Sequence, residues 1–227
     1  MKVITWNCNL KFKEKFELID SYGPDICFIQ ECEKLKSDFF PNYKYFWTGR
    51  NENKGLGVLT KKNDFFVDET HNKDLINFFP IRSNDLKLLG VWSFNHRASK
   101  FVFEVSCKTI DAINFYKDWF GDNDERCIVA GDFNNSIIWD KKGNDNNFNN
   151  INDHFVDLGF VSNYHKLKDE GFGKESYATF FHTKKESKKY HIDYIYSKNL
   201  NPLELKVGSY TEWISYSDHS PLIAELG

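Results

Sequence analysis

Apolar residues along this chain fall into short blocks, and the way each block ends carries most of the information. Lys2 to Trp6 is a compact, mostly apolar run that stops at Asn7. Phe12, Phe16 and Ile19 then recur at helical spacing until Gly23-Pro24 breaks the pattern. Ile26 to Ile29 is uniformly apolar, as expected of a strand covered on both faces, and runs into Gln30-Glu31. In the middle of the chain, Tyr43–Trp47, Gly57–Thr60, Phe65–Thr70 and Leu86–Phe94 read as strands separated by turn signals. Ala112, Ile113, Tyr116, Trp119 and Phe120 form a helical stripe. Cys127 to Gly131 is a strand that delivers Asp132-Phe133-Asn134. Phe148, Ile151, Phe155 and Leu158 predict a helix ended by Gly159, and Tyr177–Phe181, His191–Ser197, Leu205–Tyr210 and Leu222–Glu225 predict strands. The order is βαβ, strands, helix, strand, helix, strands. Two such halves predict an α/β protein in which two sheets pack together with helices outside.

Composition narrows the class. The 227 residues are 41% hydrophobic and 28% charged, which fits a soluble globular chain. No linker-like segment or internal repeat divides it, so residues 1–227 are expected to form a single domain, monomeric by default. The formal charge of −3 gives no global attraction to nucleic acid or anionic membranes, although a local basic strip would suffice for a few phosphates. No apolar run is long enough to span a bilayer, and the N-terminus lacks a signal-peptide core, so no membrane insertion is expected. Five cysteines without CxxC spacing argue against a disulfide framework or a zinc cluster and fit a cytoplasmic setting.

The polar residues at the strand ends are the candidate chemistry. Asp132 and Asn134 sit two apart, on one face if the strand continues. Asp193 lies within an aromatic strand, between Ile192 and Tyr194, where an unpaired carboxylate would be costly and needs a partner. Asp218-His219, entering the last strand, can supply that partner, and a carboxylate fixes an imidazole in tautomer and orientation. Asn7 and Glu31 end two further strands. Taken singly, each has an ordinary structural explanation; together, five segments deliver hard oxygen ligands and a histidine. Grouped carboxylates repel one another unless a cation lies among them, and this donor set favours Mg²⁺, with Mn²⁺ possible, over Zn²⁺. A hard divalent ion with a general base is equipment for attacking a phosphoester with water.

The series TWNCN, FIQECE, AGDFN, HIDYIY and SDHSPL resembles in order the motifs of the endonuclease/exonuclease/phosphatase (deoxyribonuclease-like) superfamily, and the resemblance runs from Val3 to Leu226. The resemblance implies a four-layer αββα sandwich of two mixed sheets flanked by helices. It implies Glu31 as main metal ligand, with Asn7 and Asp218 assisting. Asp132 would orient or deprotonate the attacking water and Asn134 would hold that water or a phosphate oxygen. His219 would bind the scissile phosphate and Asp193 would orient His219. Relatives carry Tyr or His where this chain has Trp92; either Trp92 or His96 is a candidate for the missing phosphate contact. The basic run KKESKKYH supplies Lys184, Lys185, Lys188 and Lys189, which can grip a nucleic-acid backbone or form a solvated loop tip. The expected activity is metal-dependent phosphodiester hydrolysis with DNA as substrate, by an endonuclease or exonuclease. The alternatives are a phosphatase or diesterase for a small phosphorylated molecule or phospholipid head group, and a catalytically silent binding protein on the same scaffold.

Overall fold

The computed structural model describes residues 1–94, 108–121 and 124–227. Two six-stranded sheets face each other. The first has the order β13-β14-β1-β2-β4-β3, comprising β1 (Lys2–Asn7), β2 (Ile26–Cys32), β3 (Lys44–Asn51), β4 (Lys54–Thr60), β13 (Pro202–Val207) and β14 (Leu222–Leu226). The second has the order β5-β6-β7-β8-β12-β9, comprising β5 (Phe66–Val67), β6 (Phe78–Arg82), β7 (Lys87–Trp92), β8 (Cys127–Asp132), β9 (Val161–Ser162) and β12 (Asp193–Lys198). A small hairpin, β10 (Phe180–Phe181) with β11 (Lys189–Tyr190), stands apart. Each large sheet has one parallel pair, β1 with β2 and β7 with β8, among antiparallel neighbours. Both sheets are therefore mixed.

Alternation along the strands builds the layers. Val3, Phe28, Val58, Leu222 and Ala224 of the first sheet meet Ile81, Leu88, Ile128, Ala130 and Ile195 of the second in one buried cluster. The opposite faces pack outward. Ile4, Trp6, Cys27 and Ile29 join Phe12 and Ile19 of α1 (Phe12–Asp20). Val129, Tyr194 and Tyr196 join Ile113 of α2 (Thr109–Tyr116) and Ile151 and Phe155 of α3 (Phe148–Asp157). The layers run helix, sheet, sheet, helix, as the expected αββα sandwich requires. Among the described residues no helix is long and apolar enough to cross a membrane. Cys8, Cys27, Cys32 and Cys127 are buried free thiols.

Several predicted elements are shorter than expected. The strand expected over 65–70 is only Phe66–Val67. Asp68 ends it: its Oδ1 accepts from Thr70 N at 2.8 Å and from Thr70 Oγ1 at 2.7 Å, closing a local turn. The 177–181 strand shrinks to Phe180–Phe181, and Tyr210 opens a helical turn, α5 (Tyr210–Trp213), in place of ending a strand. The sequence pattern missed β6, which contains Pro80. Proline is confined to sheet edges, and here the outer neighbour β5 is two residues long, so β6 is nearly an edge. It also missed α4 (Asn163–Lys168), too short to show a full apolar stripe.

Candidate active site

Alternation carries the polar residues to one place. On β8, Ile128 and Ala130 face the other sheet, so Asp132 does too. On β12, Ile195 faces inward, and so does Asp193. On β1, Val3 faces inward, followed by Thr5 and Asn7. Asn7 and Asp132 lie at the C-terminal ends of their strands. Asp193 starts an antiparallel strand and His219 precedes another, so all four lie at one end of the sandwich.

Two hydrogen bonds tie the sheets together there. Asn7 Nδ2 donates to Asp132 Oδ2 at 3.1 Å. His219 Nδ1 and Asp193 Oδ2 are 2.9 Å apart, with both side chains buried. Asp132 is fixed further by Asn134, whose backbone N–H donates to Oδ1 at 2.8 Å and whose Nδ2 donates to Oδ2 at 2.9 Å. Asn134 has a left-handed φ of 45°, which folds its amide back over the strand end, and Nδ2 also reaches Ser93 O at 2.9 Å.

Charge is concentrated in this space. Asp132 and Asp193 are direct cross-strand partners, an arrangement that is destabilising for like charges. Burial first, and then the Asp193 charge, push the Asp132 carboxyl up to about 7, against His219 and the Asn7 bond. Burial alone would lower His219, but the carboxylates of Asp193 and Asp132 prevail and hold it up at about 10. At neutral pH the imidazole is therefore a cation, and Asp132 is a base at the point of taking a proton.

Glu31 departs from simple alternation. The inward slot on β2 after Phe28 belongs to Gln30, which is fully buried, its Nε2 donating to Thr5 Oγ1 at 3.1 Å. Register shifts between Gln30 and Cys32, and Glu31 adopts φ 60°, the left-handed region that side-chain-bearing residues avoid. Its carboxylate pairs with Lys54 Nζ at 2.9 Å. Lys54 Nζ also lies 5.5 Å from the centre of the Trp92 ring. Trp92 pairs with Asp132 across β7 and β8, and its buried indole N–H has no hydrogen-bond partner among the described residues. Asp218 is half-buried beside His219, its carbonyl accepting from Phe181 N at 2.8 Å. His96 lies outside the described residues. Lys184, Lys185, Lys188 and Lys189 are all exposed on the β10–β11 hairpin.

Sequence reading missed the residues that brace the site. Thr179 Oγ1 accepts from the backbone N–H groups of Ile192 and Asp193, at 3.0 and 3.1 Å. Ser217 Oγ donates to Asn7 O at 2.7 Å and accepts from His219 N at 3.0 Å. Trp6 Nε1 donates to His219 O at 2.9 Å. Extending the inward alternation past Phe28 would have pointed to Gln30; nothing local marks Thr179 or Ser217.

No protein-family model and no curated protein matches the chain. Solved structures do. The 3'-5' exonuclease NExo from Neisseria meningitidis matches with TM-score 0.72 and 19% identity over 99% of both chains. An AP endonuclease from Archaeoglobus fulgidus matches with TM-score 0.72 and 15% identity, over 99% of this chain and 98% of that one. A humanised D. rerio TDP2 matches with TM-score 0.62 and 13% identity, over 100% and 98%. All three are members of the endonuclease/exonuclease/phosphatase superfamily. This chain has their fold. A further match, at TM-score 0.74 and 19% identity over 100% and 99%, is the 3' phosphatase NExo from Neisseria bound to a product DNA hairpin.

Proposed function

We propose that this chain hydrolyses phosphodiester bonds in DNA with a divalent metal ion. The observation that carries the reading is the convergence of Asp132, held by Asn7 and Asn134, with the Asp193–His219 pair at one end of the two facing sheets.

The residues present fit a hard cation. Among the described residues, Asp132, Asp193 and His219 offer ligand atoms within 4.8 Å of one another, and the buried Asp193 Oδ1 has no hydrogen-bond partner. Glu31 already holds a cation, the Lys54 ammonium. His219 spends Nδ1 on Asp193, which leaves the ring oriented for substrate. We assign the ion to Glu31, with Asn7 and Asp218 assisting; Mg²⁺ suits this oxygen-rich set, and Mn²⁺ is the alternative. When bound, the ion polarises the scissile phosphate.

The chain's own groups do the rest. Asp132 accepts the proton of the attacking water, and its raised pKa matches that task at neutral pH. Asn134 holds that water or a phosphate oxygen in line. The His219 imidazolium faces the phosphate and stabilises its growing negative charge, while Asp193 keeps the ring in place. Trp92, whose N–H has no partner among the described residues, stands beside Asp132 on the neighbouring strand.

DNA is favoured over a small phosphoester by a row of rings leading away from His219. Phe180 lies 4.7 Å from the His219 ring, Tyr190 lies 6.3 Å from Phe180, and half-exposed Trp139 lies 5.1 Å from Tyr190. Such a row is a stacking surface for bases, and the four hairpin lysines flank it to meet phosphates. The test is cleavage of supercoiled plasmid and of a 3'-labelled duplex in Mg²⁺ or Mn²⁺, with EDTA and Asp132→Ala as controls. Metal-dependent cleavage lost in both controls, and weakening steeply as salt rises, is expected. A fully active Asp132→Ala protein sinks the mechanism. Turnover of small phosphoesters alone, indifferent to salt, transfers the chemistry to a small substrate.

A further inference from the structure

Lys15, on α1, stands outside the cluster of Asp132, Asp193 and His219. Its ammonium is surrounded by backbone carbonyls: Cys8 O at 2.6 Å, Leu10 O at 2.9 Å, Asn9 O at 3.4 Å and Tyr216 O at 2.7 Å. Three of these belong to the turn that follows Asn7. The fourth belongs to the loop that delivers Asp218 and His219 two residues later.

That turn needs an external hold. Asn9, Leu10 and Lys11 are successive residues with φ of 50°, 68° and 53°. Side-chain-bearing residues keep such conformations only where the surroundings impose them. Here the turn brings three carbonyls towards one point, and dipoles so arranged repel one another unless a cation lies among them. Lys15 supplies it, although half-burial of the ammonium lowers its pKa. A neutral side chain of equal length would leave the carbonyls facing one another.

We infer that Lys15 is a positioning residue whose ammonium clamps the turn after Asn7 to the loop carrying Asp218 and His219. Asn7 bonds Asp132 and His219 bonds Asp193, so the clamp sets the spacing of both of these hydrogen bonds across the gap. The kinetic readout rests on the DNA-hydrolysis reading above.

The experiment compares wild type, Lys15→Arg, Lys15→Met and Lys15→Ala in the full chain, by steady-state cleavage of a 3'-labelled duplex in Mg²⁺. Misplacement of about 1 Å costs up to roughly a hundredfold, so kcat should fall at least about tenfold in Lys15→Met and Lys15→Ala. KM should change little. Lys15→Arg should retain most of kcat. Methylammonium chloride should restore part of the Lys15→Ala rate by filling the carbonyl cage, where sodium chloride at equal ionic strength does not. Wild-type kcat in Lys15→Met, or a loss in folded Lys15→Ala that methylammonium leaves untouched, overturns the inference. If Lys15→Ala fails to fold, equal rates in Lys15→Arg and Lys15→Met do the same. Should the wild type leave DNA intact, the DNA reading fails, and backbone amide shifts in Lys15→Met decide the clamp separately. Shifts at both 8–11 and 216–219 support it; shifts confined to 8–11 overturn it.

Discussion

Replacing Asp193 with asparagine removes one charge from the Asp193–His219 pair without changing its shape, and the consequence for stability depends on pH in a way the structure fixes. The His219 pKa is raised from an ordinary 6.5 to about 10 in the folded protein by the Asp193 and Asp132 carboxylates, which outweigh burial. A folded-state pKa above the unfolded one means the folded protein binds an extra proton. Its contribution to stability is therefore complete below pH 6.5 and is lost as pH rises towards about 10. Each pH unit in that window is worth about 1.4 kcal/mol at most. Burial is already contained in that shift, so the loss across the window is at most about 5 kcal/mol, with the direction fixed by the carboxylates. Asp132 adds in the same direction. Its folded pKa, pushed up to about 7 by burial and by Asp193, gives stability that is present at low pH and lost as pH rises through 7. Asp193→Asn relieves both shifts. The assay is urea denaturation of wild type and Asp193→Asn in EDTA at intervals from pH 5 to 10.5. Wild type should be the more stable at pH 5 and 6. The difference should shrink steadily and vanish or reverse near pH 10, where a buried carboxylate without a cationic partner only costs. A difference independent of pH would refute the charged pair and with it the assignment of His219 as an imidazolium.

Asp132→Asn should keep the fold and lower kcat by about 10²–10⁴, the usual worth of a general base, in single-turnover cleavage of labelled DNA. It should also lose some thermal stability, because an amide nitrogen would face the Asn7 or Asn134 donors. Gly131→Ala should fail to fold or lose more than about 4 kcal/mol in urea, since a Cβ there would lie 1.8 Å from Val91 O; normal stability would contradict the β7–β8 register. Changing Lys184, Lys185, Lys188 and Lys189 together to glutamine should raise KM for DNA and flatten its salt dependence, with turnover of a small nitrophenyl phosphodiester unchanged. An unaltered salt slope would return the hairpin to the status of a solvated loop.

What the sequence made legible follows from where burial is continuous. Val3-Thr5-Asn7 and Ile128-Ala130-Asp132 are unbroken inward-facing series, so the apolar positions announce where the polar one at the end will point. The same holds for Asp193, two positions before the inward Ile195. Glu31 was legible as a strand end but not in its geometry, because a register shift puts Gln30 in the inward slot and turns Glu31 by a left-handed residue. The Lys54 partner of Glu31 comes from a different strand, and no local pattern foretells it. Elements with little burial are the ones the pattern misses: β5 is exposed along its whole length, and Trp213 is the one buried residue of α5. Hydrophobic periodicity reports on faces that are covered, and it falls silent where an element is two to six residues long.

The division of the site between the sheets explains why its residues are scattered from one end of the chain to the other. Asn7 and Glu31 lie on strands of the first sheet and His219 on the loop that enters its β14, whereas Trp92, Asp132 and Asp193 lie on strands of the second. Asp132 and the His219 ring come from opposite sides of the gap between the sheets. The base is oriented by an amide from across the gap, and the imidazole is charged by a carboxylate from across the gap. Beneath the site lies the inter-sheet core, to which Phe28, Ala130 and Ile195 belong, two positions along their strands from Gln30, Asp132 and Asp193. A cavity cut into that core lets the sheets shift against each other, and a shift of a fraction of an ångström lengthens both cross-sheet hydrogen bonds together. Activity should therefore be sensitive to packing changes in the layer between the sheets and tolerant of equal changes in the two outer helical layers, which can yield without moving one sheet against the other.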